Sequence, residues 1–179
     1  MAASLLLSLL KNPAATGCVM PSSRYLATAM AQAAHGAELV VELGAGTGPV
    51  TQALIRQLPD VPLIAVEMQP RLAHLLRRNF PHLDVRQNTA KSVVDTLGRV
   101  PQRSVLVSSL PFRSLAPAVA RETVESICTF LLANPLRKLV QFTYQPRAPF
   151  VAPAGLRWTR TTTVWRNAPP AGVWELQAA

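Results

Sequence analysis

Residues Leu39-Val40-Val41-Glu42-Leu43-Gly44-Ala45-Gly46-Thr47-Gly48-Pro49 decide how the rest of the chain is to be read. A short apolar strand, Leu39–Leu43, runs into glycines at alternate positions and then into a proline. Glycine adopts backbone conformations that a β-carbon disfavours, so such a run makes a tight turn and lets the backbone approach a ligand closely. Pro49 suits the first position of a helix, where its missing N–H costs nothing. Strand, glycine turn and helix therefore follow one another without a spacer.

Outward from this unit the pattern keeps alternating. A helix is expected from about Pro49 to Leu58, a strand at Leu63–Glu67 and a helix at Arg71–Asn79. Leu83–Arg86 and Ser104–Ser108 read as two further strands, Ala116–Ala133 as a long helix, and Lys138–Tyr144 as a β-rich strand. Arg157–Trp165 and Val173–Leu176 form a last pair around the turn Asn-Ala-Pro-Pro-Ala-Gly. Strands alternating with helices imply a mostly parallel sheet covered on both faces. The final pair, with no helix between them, fits an antiparallel edge. The fold class is α/β, with seven strands.

Upstream, Ser22 or Ser23 caps a helix from about Ser23 to Ala34 whose Leu26, Met30 and Ala33 face inward. Before it, Ser4, Ser8 and Lys11 share one stripe of a helix while Leu5, Leu6, Leu7, Leu9 and Leu10 cover the rest, and Pro13 stops it. Residues 1–34 thus read as a helical extension of a single domain spanning 1–179.

Composition narrows the partners. Hydrophobic residues are 49% of the 179, too many for a disordered chain, and sixteen prolines against eight glycines favour stiff loops. Eighteen Lys+Arg against nine Asp+Glu give +9, mostly from arginine, which favours a polyanion: nucleic acid or an anionic membrane surface. No apolar run reaches the roughly 20 residues a bilayer span needs. The first ten residues lack the basic start and cleavage site of a signal peptide. Cys18 and Cys128 lie far apart without metal-ligand spacing, consistent with reduced thiols in a cytosolic protein and with no metal site. His35, His74 and His82 have no partners at ligand or triad spacing and are expected on the surface. Arg71, Arg77 and Arg78 read first as the solvated side of a covering helix.

Chemistry enters with the acids. Glu67 lies nineteen residues after Gly48, at the end of the second strand, where a carboxylate can accept both hydroxyls of a ribose. A dinucleotide fingerprint would place a glycine where Pro49 stands. The Glu-x-Gly-x-Gly-x-Gly pattern instead resembles motif I of the class I S-adenosylmethionine-dependent methyltransferases, which have a Rossmann-like fold. The resemblance implies that Gly44, Ala45, Gly46 and Gly48 hold the methionine end of the cofactor, that Glu42 faces its ammonium group, and that Met68 lies against the adenine. Many members of the family it resembles place an Asp-Ala pair after the third strand, the acid bonding the adenine amino group. Here Ala90 matches the alanine and Thr89 stands in the place of the acid, a departure that leaves adenine recognition to Asn88 or Thr89 or makes it looser.

The fourth strand ends in Val107-Ser108-Ser109-Leu110-Pro111-Phe112. This stretch resembles two amine-methylating branches: the rRNA adenine dimethylases, with Asn-Leu-Pro-Tyr or similar, and the bacterial phospholipid N-methyltransferases, with Ser-x-Leu-Pro. In either, Ser108 lies at the cofactor, a proline-stiffened loop at Ser109, Leu110 and Pro111 aims carbonyls and a hydroxyl at the acceptor nitrogen, and Phe112 packs beside it. Three further segments resemble the phospholipid enzymes: Asn12-Pro13 through Pro21–Leu26, Val140–Tyr144, and Val164–Trp174. The RNA dimethylases add a helical domain that 179 residues leave no room for.

The resemblance therefore implies stepwise methylation of a phosphatidylethanolamine head group by a cytoplasmic protein peripheral on the inner membrane surface. The leucine-rich helix is its expected interfacial anchor. Tyr25 and Tyr144 are candidate substrate contacts. The alternatives are methylation of rRNA adenine or a small amine, and a cofactor-binding module without catalysis.

Overall fold

The computed structural model describes residues 23–179. The expected helix near residues 4–11, Cys18 and the Asn12–Ser22 part of the resemblance lie outside the described residues. Within them the order is α1 (Arg24–Ala33), β1 (Leu39–Leu43), α2 (Pro49–Gln57), β2 (Leu63–Val66), α3 (Pro70–Asn79), β3 (Asp84–Arg86) and α4 (Ala90–Asp95). There follow β4 (Ser104–Ser108), α5 (Pro117–Leu132), β5 (Lys138–Thr143), β6 (Leu156–Val164) and β7 (Ala171–Ala178).

All seven strands join one sheet in the order β3-β2-β1-β4-β5-β7-β6. The first five are parallel, and β7 runs antiparallel to both β5 and β6. Every residue of β1 and of β4 is buried, as expected of central parallel strands covered on both faces. Side chains alternate between two cores. Leu39, Val41 and Leu43 join Val93, Val94, Ile127 and Leu131 on one face, whereas Val40 joins Leu26, Met30, Val50 and Leu54 on the other.

Because α1 supplies Leu26 and Met30, both fully buried, it is a layer of this core. Each such side chain contributes about 1.5–3 kcal/mol by leaving water. Ser23 caps α1, its hydroxyl accepting from the Leu26 amide at 3.2 Å. Pro49, Pro70 and Pro117 each open a helix.

Three differences from the sequence expectation have physical causes. Helix α4 is absent from the hydrophobic periodicity because it has only six residues; Thr89 starts it, its hydroxyl accepting from the Ser92 amide. Strand β7 begins at Ala171 rather than Val173, and Gly172 lies within it. A β-carbon there would meet the Trp174 indole nitrogen at 3.0 Å, so the missing side chain lets the ring lie over the strand. Strand β6 carries an irregularity between Arg160 and Thr162, where the Thr161 hydroxyl donates to the Val173 carbonyl.

The strand order reverses between β1 and β4, the position where open α/β sheets bind ligands at their carboxyl ends. The glycine turn after β1, Glu67 after β2, Ser109 after β4 and Tyr144 after β5 all lie at that end. So does the β6–β7 turn, since Gly172 pairs with Thr143 at the end of β5.

Candidate active site

The glycine turn is held open at one point and packed tight at another. Gly46 has φ +58° and no atom within 4 Å of a β-carbon built on it, so its open side faces space that a ligand can enter. At Gly44 a β-carbon would lie 2.9 Å from Leu110 Cδ2, which sets the turn directly against the loop after β4. Glu67 fastens the turn from the other side. Its Oε2 accepts from the Gly46 amide and its Oε1 from the Gln69 amide, each at 2.8 Å.

Glu42 is fully buried. Its Oε2 accepts from the Thr51 hydroxyl at 2.6 Å, while Oε1 has no partner among the described residues. Burial pushes the carboxyl up to about 7; the Thr51 hydrogen bonds oppose the shift and the negative charge of Glu67 adds to it. An unpaired buried acceptor is destabilising, and the partner that fits it is a cation with N–H groups. The residues present therefore fit a cofactor carrying an ammonium. Met68, 67% exposed beside Glu67, offers an apolar face for a base.

Thr89 and Asn88 are engaged locally. The Thr89 hydroxyl caps α4 and donates to Ser92 Oγ at 3.0 Å, and Asn88 Oδ1 accepts from the Thr89 amide at 2.8 Å. Thr89 thus serves as the helix cap, a role that threonine and aspartate share.

On the β4 side, Ser109 donates its amide to the Leu43 carbonyl at 2.9 Å, and Ser108 Oγ accepts from the Leu110 amide at 3.2 Å. The Leu110 carbonyl accepts from the Phe112 amide and from Gln141 Nε2, at 3.0 and 3.2 Å. The Pro111 carbonyl accepts from the amides of Ser114 and Leu115. Neither the carbonyl nor the hydroxyl of half-buried Ser109 has a partner among the described residues. Phe112 turns into the core, its ring edge-on to Phe150 at 5.2 Å.

Tyr25 stands at the start of α1, its hydroxyl accepting from Arg24 at 2.9 Å; that bond and the Arg24 charge hold the phenol below its ordinary pKa. Burial holds the Tyr144 phenol above its own. Thr51 and Gln141 escaped the sequence reading. Each is a polar residue within an apolar stripe, Val50–Leu54 and Leu139–Phe142, and that misfit was the available signal. His35, His74 and His82 are exposed, as are Arg71, Arg77 and Arg78. Among the described residues no group of His, Cys, Asp or Glu could hold a metal, and no helix is long and apolar enough to cross a membrane.

No protein-family model matches the chain. The ornithine lipid N-methyltransferase of Singulisphaera acidiphila is 30% identical over 176 residues, spanning 92% of this chain and 89% of that protein. The chain belongs to the class I S-adenosylmethionine-dependent methyltransferases. S-adenosylmethionine is its cofactor.

Solved structures support the fold of this methyltransferase. The 23S rRNA methyltransferase ErmE superposes with a TM-score of 0.57 at 18% identity, covering 86% of this chain and 67% of that one. The precorrin-6y C5,15-methyltransferase of Geobacter metallireducens gives 0.61 at 12%, covering 86% and 87%. At such identities the likeness shows the fold of the methyltransferase alone.

Proposed function

We propose that the chain methylates the amine of an aminophospholipid head group, phosphatidylethanolamine or its partly methylated forms, at an anionic membrane surface. The Ser109 carbonyl and hydroxyl carry this reading: two hydrogen-bond acceptors without a partner, beside the glycine turn, in a loop with no carboxylate. The similarity to an ornithine lipid enzyme over 92% of the chain supports a lipid acceptor.

When bound, the cofactor would supply a methyl group on a positive sulfur, to be taken by the lone pair of a neutral amine as the carbon–sulfur bond breaks. The chain's part is placement and electrostatics. Glu42 would take the cofactor ammonium, the Gly44–Gly48 turn its carboxylate end, Glu67 the ribose, and Met68 with Asn88 and Thr89 the adenine. Ser108, on the cofactor side of the loop, braces it by accepting from the Leu110 amide at 3.2 Å. The Ser109 carbonyl and hydroxyl face the acceptor nitrogen and stabilise the positive charge that develops there, while the proton leaves to water. Gln141 fixes the Leu110 carbonyl and so keeps Ser109 aimed. The resemblance to the Asn-Leu-Pro-Tyr loop keeps one rival: the exocyclic amine of adenine in RNA.

The test is transfer of labelled methyl into chloroform-soluble lipid from vesicles containing phosphatidylethanolamine, run beside deproteinised ribosomal RNA. Label in lipid is expected. Label in RNA and not in lipid would reject the lipid acceptor.

A further inference from the structure

Two stretches far apart in the sequence, Ser23–Tyr25 and Trp165–Asn167, meet at the carboxyl end of the sheet. Buried Asn167 joins them: its Oδ1 accepts from the Ser23 amide at 3.3 Å and its Nδ2 donates to the Pro169 carbonyl at 2.7 Å. On this support the guanidinium groups of Arg24 and Arg166 lie 4.9 and 5.4 Å from the centre of the Tyr25 ring. Neither arginine enters an ion pair among the described residues. Next to Arg166, Trp165 is 78% exposed in the same turn.

A structural explanation for the cluster covers only its inner part. Asn167 ties the turn to α1, but that tie needs neither the two cations nor the indole. Two like charges brought to one ring repel each other unless an anion lies between them. An indole left in water beside them is a large apolar group without a core to join. Guanidinium pairs bind phosphodiesters, and tryptophan partitions to the boundary between lipid head groups and acyl chains.

We propose that Arg24, Tyr25, Trp165 and Arg166 form a docking rim for the surface of an anionic phospholipid bilayer. The arginines take lipid phosphates and Trp165 enters the head-group boundary. This rests on the lipid reading of the function and assigns its membrane contact to the folded domain. The +9 charge complements such a surface. The rim also lies at the end of the sheet where Ser109 stands, so docking there brings head groups to the acceptor side.

The experiment is sedimentation of the full chain with vesicles of phosphatidylcholine containing phosphatidylglycerol, comparing wild type with Arg24→Gln/Arg166→Gln and with Trp165→Ser. Residues 1–22 are common to all three. Each basic residue near an anionic surface contributes about 1 kcal/mol, so the double variant should bind roughly 30-fold more weakly and lose much of its salt dependence. Trp165→Ser should weaken binding several-fold with the salt dependence kept. Calorimetry with S-adenosylhomocysteine should show unchanged affinity in both, which separates the rim from a fold defect.

Vesicle binding within threefold of wild type in the double variant overturns the rim, whatever lipid is methylated. Ribosomal RNA binding that the double variant loses, with vesicle binding unchanged, overturns it in favour of nucleic acid. Rim-dependent vesicle binding by a protein that labels no lipid supports the rim and overturns the substrate reading alone.

Discussion

The two sides of the site are built in opposite ways. On the β1–β2 side, the glycine turn, Thr51, Glu67 and Met68 come from one stretch of chain, and backbone amides do most of the fastening. On the β4–β5 side, Ser109 and Leu110 are set by Gln141, thirty-one residues beyond Leu110. The aromatic and cationic rim at the same end of the sheet needs a contact across 144 residues, from Ser23 to Asn167. A cofactor that does not vary is met by local geometry. The side proposed to face the acceptor is assembled from segments far apart in the sequence.

The largest effect should come from breaking the local side at its open point. Gly46 is left-handed, a conformation that costs a β-branched residue about 1–3 kcal/mol, and its open side is the proposed entry for the cofactor. Gly46→Val should lower S-adenosylmethionine affinity by roughly 100-fold or more while the circular dichroism of the sheet and helices persists. Retained affinity in a folded variant would show that the turn does not touch the cofactor.

Next comes Ser109→Ala. A hydrogen bond to a charged group is worth about 1.5–3 kcal/mol, so kcat should fall roughly 10- to 100-fold with little change in cofactor affinity. Gln141→Leu should lower kcat several-fold by the same route, since the Phe112 amide still holds the Leu110 carbonyl. A loss of cofactor affinity equal to the loss of turnover would mean that the two sides are not separable.

Glu42 provides a pH-dependent version of the comparison. Its folded pKa is raised from 4.5 to about 7, so the folded protein holds a proton that the unfolded chain has released. The stability this confers is complete below 4.5 and is lost as pH rises through about 7. A cofactor ammonium favours the ionised carboxyl, so binding below about pH 7 should release up to one proton. Calorimetry in two buffers of different ionisation enthalpy measures it. Glu42→Gln should abolish the release, and a wild-type protein that takes up protons on binding would contradict the assignment.

The smallest effect is expected at Thr89. Thr89→Asp keeps the cap of α4 and supplies the acid that the family resemblance implies at this position, so cofactor affinity should rise by a few-fold and stability should hold. Thr89→Ala should cost about 1 kcal/mol through the lost cap, seen as a lower Tm.

This asymmetry also explains what could be read before the fold was known. Glycine spacing, Pro49 and the acid nineteen residues on are local signals, and the sheet order follows from strands alternating with helices. Helix α4 stayed hidden because six residues give too little periodicity and its cap stands where a ligand contact was sought. Gln141 looked like a strand residue, since nothing in Leu139-Val140-Gln141-Phe142 says which carbonyl it will meet. Asn167 was visible only as part of a turn, because its partner at Ser23 is at the other end of the chain. The ring of Phe112 was expected beside the acceptor. It joins Phe150 and the core because the 144–155 connection crosses that face of the sheet, a path no local pattern encodes.

The irregularity in β6 bears on how copies of the chain coexist. A sheet ends in rows of unpaired amides and carbonyls that can recruit a strand from another molecule. Among the described residues, one edge of this sheet is the three-residue β3. At the other, β6 is long, but it is displaced between Arg160 and Thr162 and carries Arg157, Arg160 and a run of threonines. A displaced strand twists away from a straight partner, and its arginines repel a second copy of themselves. The basic chain thus guards its own edge against strand addition where molecules crowd together.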